Sequence, residues 1–326
     1  MTKVIGRLSA IGIGKETTAG TSVAPSYWIP VRSIDFDDKA NYIDNDSAMG
    51  RIEELNDSDI NQLWAEGSFE GKIFLNSVGM EMVGIFGQSP TSAQRTTTGV
   101  YDHTFALLNS NSHKSLTVGY KDSLLDLRYA YAMVDSWKFE AALDDYVKRT
   151  ISLKSKKSAS ASNTVAITDE IEFIPSMMNV YIEDAQASLA GGTPVKITNV
   201  QFEIKKNVEA NFVLGSNEPD SLNNKQVSVE GSFEAYFEST TQRDYVFNGT
   251  AKAMRVDMKD AGTIIGSSGS HNPQLYFDLY RVRFTEFNRG WDSNDILKYT
   301  INFKAVYSVS DTAMIAARLT NTVVSY

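Results

Sequence analysis

Apolar and polar side chains alternate with a period of two through most of this chain. That pattern limits the fold more than any other feature, because it puts apolar groups on one face of an extended strand and leaves the other face to water. In residues 200–205 Val200, Phe202 and Ile204 alternate with Gln201, Glu203 and Lys205. Val227, Val229, Phe233 and Phe237 alternate with Ser228, Glu230, Ser232, Glu234 and Glu238, and residues 299–305 repeat the pattern. Similar runs fall at 124–131 and 146–154. Aromatic residues are 11% of the chain and many lie inside these runs, where flat and β-branched groups fit a pleated surface. The expected class is all-β. Only two stretches read as helix. Residues 76–86 carry Val78, Met82, Ile85 and Phe86 on one face, with Gly87 as the stop. Residues 239–248 open with Ser239 and Gln242 at capping-box spacing and end before Gly249.

The composition narrows the class further. There is no cysteine, which excludes disulfide frameworks and thiolate-bound metals. Lys plus Arg is 31 against 40 Asp plus Glu, a net charge of −9 that does not suit general nucleic-acid binding. No apolar run approaches the roughly 18 residues of a membrane span, and residues 1–14 lack a signal-type apolar core. A soluble intracellular protein is the expectation. Residues 154–163, KSKKSASASN, read as a flexible linker near mid-chain, and 261–272 as a second Gly/Ser-rich loop.

The chain also repeats itself. Pro30-Val31-Arg32 and Pro194-Val195-Lys196 lie 164 positions apart, as do Glu66-Gly67-Ser68-Phe69-Glu70 and Glu230-Gly231-Ser232-Phe233-Glu234. Both predicted helices follow these strands. A third match, Lys148-Arg149-Thr150-Ile151-Ser152-Leu153-Lys154 with Lys298-Tyr299-Thr300-Ile301-Asn302-Phe303-Lys304, has an offset of 150. The order of elements in each half is strand, long excursion, strand, helix, strands, which points to duplication, with domains at 1–160 and 161–326. The excursions, 38–61 and 207–224, are rich in Asn, Asp, Glu and Ser. Loops this long in compact domains are usually either functional or disordered; two at matching positions favour a function, and partner contact fits better than catalysis.

Searches for chemistry fail on geometry. Gly12-Ile13-Gly14-Lys15-Glu16-Thr17 lacks the first glycine of a phosphate loop and carries Glu16 where Ser or Thr is required. Asp44-Asn45-Asp46-Ser47-Ala48-Met49-Gly50 loses a calcium ligand at Ala48 and places its glycine one position late. His103, His113 and His271 have no metal-ligand spacing, and adjacent pairs such as Asp144-Asp145 would point to opposite faces of a strand. No enzyme activity and no cofactor are expected.

Several stretches together resemble phage tail tube proteins of long-tailed phages. These are Gly12-Ile13-Gly14-Lys15-Glu16-Thr17-Thr18-Ala19-Gly20-Thr21, Tyr27-Trp28-Ile29-Pro30, and Glu66 to Glu70 in the first half. In the second half they are Asn207-Val208-Glu209, Leu214-Gly215, Pro219, Val229-Glu230-Gly231-Ser232, Tyr245 and Arg318-Leu319-Thr320-Asn321. The first half departs from the family pattern by extra residues after Phe86. The resemblance implies two tandem tube domains, each a β-sandwich or barrel with one short flanking helix and a long loop between its second and third strands. It implies a structural virion subunit, made in the host cytoplasm, whose rings stack into a hollow conduit for DNA. Duplication favours a non-contractile, siphovirus-type tail without a sheath and trimeric rings of six quasi-equivalent domains. Further implied partners are a tape measure in the lumen and terminator and tip proteins at the ends, with no membrane. A carbohydrate-binding or adhesin β-sandwich is the alternative; it needs an aromatic platform, and Trp28, Trp64, Trp137 and Trp291 are scattered.

Phase along the strands then assigns candidate sites. Phe69, Ile73, Val229, Phe233 and Phe237 are expected inside. Glu66, Glu70, Glu230, Glu234 and Glu238 take the opposite face, with Asp35, Asp37, Glu203 and Lys205 beside them, as the lining of a DNA-conducting lumen. Tyr42, Met49, Arg51 and Leu55 in one excursion, and Phe212, Leu214 and Leu222 in the other, are expected to bridge subunits. An N-terminal arm, residues 1–24 with Ile11, Ile13 and Lys15, is expected to do the same.

Overall fold

The computed structural model describes residues 3–96, 99–267 and 271–326. In the first half β1 (Ala10–Lys15), β2 (Tyr27–Ile29), β3 (Ser33–Asn45) and β4 (Asp57–Lys72) precede α1 (Val78–Phe86). Then come β5 (Thr91–Gln94), β6 (Tyr101–Ala106), β7 (Leu116–Lys121), β8 (Asp126–Ala142), β9 (Lys148–Ser155) and β10 (Ser158–Ser160). The second half holds β11 (Met178–Glu183), β12 (Pro194–Val195), β13 (Ile197–Lys205), β14 (Glu209–Asn211), β15 (Ser221–Asn223) and β16 (Ser228–Tyr236). It continues with α2 (Thr241–Phe247), β17 (Ala251–Lys259), β18 (Gln274–Gly290), β19 (Lys298–Ala305) and β20 (Ile315–Asn321). The all-β class is what the alternation dictates.

The pairing order in the first half is β2–β1–β7–β8–β9–β4–β3, all antiparallel, with β10 on β8. In the second it is β12–β11–β17–β18–β19–β16–β13, again antiparallel, with β20 on β18. The registers agree as well. Glu66, Phe69 and Glu70 face Lys154, Ile151 and Thr150. Glu230, Phe233 and Glu234 face Lys304, Ile301 and Thr300. Each long strand carries a bulge, β8 between Val134 and Ser136 and β18 between Phe284 and Glu286. A bulge bends a strand and sharpens its twist, which lets one strand serve two sheets. Gly67 and Gly231 sit opposite Phe36 and Phe202. A Cβ at either would come within 1.8 Å of the Asp35 carbonyl oxygen or 2.4 Å of that of Gln201, so only glycine fits.

The halves are sewn together. Residues 136–142 of β8 pair with 199–205 of β13, and β6 pairs with β20. Trp137 and Phe139 thereby meet Phe202 and Phe277, with ring centroids 5.1–6.5 Å apart, in one continuous apolar core. The extra residues after Phe86 build the hairpin β5–β6, whose second strand receives β20.

Three local expectations need correction. Residues 154–163 are not a flexible linker: they complete β9, form β10, and are held by polar contacts. The Ser158 amide and hydroxyl donate to Asp38 at 2.8 and 2.6 Å, and buried Asn163 donates to Asp126. Small polar side chains bond to neighbouring carboxylates here as readily as to water. The first helix has no exposed face; every residue from Val78 to Phe86 is buried, and the Tyr326 ring occupies the space beside Gly79. Its Glu81 is satisfied inside, accepting from Trp137 Nε1 at 2.9 Å and Arg149 Nε at 2.7 Å. Gly87 ends the helix in the left-handed conformation, as expected. The second helix starts at Thr241; Ser239 lies outside it, where its hydroxyl accepts from the Thr241 amide and donates to the Gln242 side chain, both at 3.4 Å, so the reciprocal capping box does not form.

Lys206 lies just past β13, fully buried at the seam, and its Nζ donates to the Gly84 carbonyl of α1 at 2.9 Å. Burial lowers its pKa from 10.5 to about 7, against the opposing pull of Asp135. Between those values the unfolded chain binds more protons than the folded one, so stability rises with pH through that window and is flat below it. Lys206→Met should remove this rise in thermal melts between about pH 7 and 10, leaving the fold intact by circular dichroism. An unchanged slope would assign the titration to another group.

Candidate assembly surfaces

The strand phase holds at the carboxylate face. Phe69, Ile73, Val229 and Phe233 are buried, while Phe237 lies just beyond β16 and is half-buried against Phe287 and Tyr299. Asp35, Asp37, Glu230 and Glu238 are exposed and Glu66, Glu70, Glu203 and Glu234 half-buried, with exposed Lys205 beside them. This face is not purely acidic. Glu230 meets Lys304 at 2.6 Å, Glu234 meets Lys298 at 3.2 Å, Glu238 meets Lys196 at 3.2 Å and Glu203 meets Lys205 at 3.1 Å. The Lys304 hydrogen bond holds the Glu230 carboxyl below its ordinary range, and chiefly the Thr198 hydroxyl does so for Glu234. Lys298 and Lys304 come from β19, which register lays beside β16, and Lys196 from the junction of β12 and β13. In the first half Lys154, opposite Glu66, donates instead to the Val208 carbonyl at 2.9 Å. Asp35 and Asp37 line a separate cleft of about 1200 Å³ with Ile34, Phe36, Leu127 and Tyr129.

The first excursion is mostly paired strand. β3 and β4 stay in register from Ser33–Glu70 out to Asn45–Asp57, with one bulge at Asn41/Tyr42. Only the tip, residues 46–56, is loop. The ribbon stands clear of the body: every residue from 37 to 61 is exposed. Tyr42 (54%), Met49 (67%), Ile52 (102%) and Leu55 (47%) have no apolar surface of their own chain to cover them, and Arg51 is exposed among them. A two-stranded ribbon alone is marginal in water.

The second excursion behaves differently. It folds home as the small ribbon β14–β15. Leu222 is buried with Val208 and Met133, and Phe212 packs edge-on against Trp64 at 6.2 Å. The Leu63 amide donates to the Asn217 carbonyl at 2.7 Å. Leu222 and Phe212 thus contact the first half of the same chain, and Leu214 is fully exposed. Part of the N-terminal stretch is built into the body, while residues 3–8 are exposed. Ile11 and Ile13 are buried in β1, between β2 and β7, and Lys15 ends that strand and donates to Ser89. The alternation was too short there to read as a strand because Gly12 and Gly14 hide its second face.

Among the described residues no three His, Asp or Glu side chains gather as a metal would require. Trp28 and Trp137 are buried, Trp64 packs on Phe212 and Trp291 is exposed, so the four form no shared platform. The surfaces that stand out are a mixed-charge sheet face, an exposed ribbon and a cleft beside β3. A family model described as phage tail tube protein matches residues 6–305. The chain belongs to the phage tail tube protein family. It is a structural subunit of the virion tail, a component that assembles with copies of itself and with other tail proteins. No curated protein matches the chain.

Deleting residues 42–57 joins Asn41 to Ser58 and removes only exposed positions. The variant should fold with a melting temperature close to the parent's yet fail to polymerise, as read by sedimentation and negative-stain microscopy. Normal tubes would show the ribbon to be dispensable.

Proposed function

We propose that residues 1–160 and 161–326 are two copies of one tube domain, and that three chains close a ring of six quasi-equivalent domains. The rings stack into a non-contractile, siphovirus-type tube without a sheath, through which DNA passes. The carrying observation is that strand order, register and bulge position agree between the halves. Head-to-tail contacts that close by rotation make rings, and stacked rings make tubes. In this reading the tape measure occupies the lumen, terminator and tip proteins cap the ends, and no membrane is involved. Rotational averaging of ring images should give three chains per ring; six would overturn the trimer and leave the tube standing.

The lumen in this reading is lined by the face carrying Asp35, Asp37, Glu66, Glu70, Glu203, Lys205, Glu230, Glu234 and Glu238. Its lysines are tied to carboxylates, so few free cations are left to grip phosphate. Exposed pairs of this kind are each worth ~0–1 kcal/mol, so the face can be recharged without losing the fold. Replacing Glu230, Glu234 and Glu238 with lysine should leave tubes intact. DNA ejection should slow and gain a dependence on salt, because several phosphate contacts change affinity by ~10³-fold or more over modest salt ranges. Ejection unchanged at low salt, or a density map with these side chains on the outer wall, would overturn the lining.

A further inference from the structure

Asn163 closes the KSKKSASASN segment and is buried, at 3% exposure. The pairing of β10 with β8 brings it to the β7–β8 hairpin, where Lys121 and Asp126 stand opposite each other. Its side-chain amide lies among charged groups of that hairpin. Arg128 Nε donates to Asn163 Oδ1 at 2.7 Å, and Asn163 Nδ2 donates to Asp126 Oδ1 at 2.5 Å. The guanidinium can only donate and the carboxylate only accept, so the amide has one orientation. Asp126 also holds Lys121, whose Nζ lies 2.8 Å from Oδ2. The same Nζ donates to the Asn163 backbone carbonyl at 2.6 Å. Amine, carboxylate and carboxamide thus form one hydrogen-bonded chain, with a cation on the amide oxygen.

We propose that the folded chain joins Lys121 to Asn163 by an intramolecular isopeptide bond, with Asp126 carrying the protons. Asp126 takes a proton from the Lys121 ammonium, and the free amine attacks Asn163 Cγ. To do so Nζ turns from the backbone carbonyl to the carboxamide of the same residue. Negative charge builds on Oδ1, where Arg128 already donates. The Nζ–Cγ bond forms and the Cγ–Nδ2 bond breaks. Nζ gives up two of its three protons through Asp126; Nδ2 gains both and leaves as ammonium. Charge is conserved, nothing is oxidised or reduced, and no co-reactant is needed.

The surroundings hold these groups in place. The Asn163 amide donates to both Asp126 oxygens, at 3.0 and 3.1 Å, and the Ala161 amide to the Asp126 carbonyl at 2.8 Å. Arg128 Nη2 donates to the Ser162 carbonyl at 3.2 Å. The Asp126 carboxyl is held below its ordinary range, chiefly by the Lys121 hydrogen bond, so it rests as the base that the first step uses. Partners oriented within one molecule reach effective molarities of ~10⁵–10⁸ M, which replaces the encounter that makes amide aminolysis slow in water. The product ties the segment after β10 to β7 and closes residues 121–163 into a loop. The chain has no cysteine, so this bond supplies the restriction of the unfolded state that a disulfide gives elsewhere.

Intact-mass spectrometry of the purified full chain tests the bond. The folded protein, incubated until its mass is constant, should be lighter than its sequence by one ammonia, about 17 Da. A tryptic digest should hold one branched peptide carrying both Lys121 and Asn163. Lys121→Arg keeps the ion pair but has no primary amine, and Asp126→Asn keeps the side-chain shape but cannot take the proton. Both should retain the full sequence mass with the parent's circular dichroism. On denaturing gels the parent should run ahead of both, because a closed loop is more compact. A parent that keeps its full mass overturns the proposal. So does the same mass loss with residues 121 and 163 on separate peptides, or one that survives Lys121→Arg, since a succinimide at Asn163 gives both results. A branched peptide that persists in Asp126→Asn overturns the role given to Asp126.

Discussion

β8 is the strand on which the rest of the structure depends. Its first half pairs with β7 and β10, its second with β9 and β13. It is thus a member of both halves of the molecule at once. Its inward side chains settle the arrangement: Trp137 donates to Glu81 of α1 and touches Phe202 and Phe277 of the second half. A one-residue slip of β8 would turn Trp137 and Phe139 to the solvent face and expose Glu81 and Arg149 to each other without the indole. The bulge at Val134/Ser136 therefore fixes register as well as bending the strand.

Buried charge follows the same logic. Arg149 and Glu81 are no more than 1% exposed, and Arg255 with Asp278 nearly as buried at 2.6 Å. Pairs like these are weak evidence for stability, since desolvation offsets attraction, but breaking one leaves an unpaired interior charge at about 3–5 kcal/mol. They act as register pins. Glu81 can be satisfied only when β8, β9 and α1 are all in place, because its two donors come from two different strands. The exposed carboxylate–lysine pairs on the sheet face are of another kind, each worth little, and they set the character of a surface rather than the fold.

Much of this was legible because strand physics is local. The face of Phe233 follows from its neighbours' polarity, and the repeat of Glu-Gly-Ser-Phe-Glu located equivalent strands that prove to share register. What was hidden depends on partners far along the chain. Nothing near Leu222 says that it packs on Met133, and nothing in KSKKSASASN says that Asp38 will hold Ser158. Ile11 and Ile13 looked like parts of an arm because the strand they form is completed by β7, about a hundred residues later. The paired state of 38–61 was missed because both faces of that ribbon are polar or exposed, so the alternation that marks a half-buried strand is absent.

The two excursions differ in what their own chain offers them. The excursion of the second half, 207–224, lies on the first half of its own chain, while the ribbon of the first half, 37–61, has no such surface within reach. In the proposed ring of three chains half of the domain junctions lie inside a chain and half between chains. Each internal junction forms on folding and carries no association cost, whereas each external one must overcome an estimated 4–15 kcal/mol of lost translational and rotational freedom. Three such events then close a ring that six separate domains would need six to close. The open cleft and the uncovered ribbon are surfaces that one chain leaves bare, and in the proposed ring they are available to the next chain.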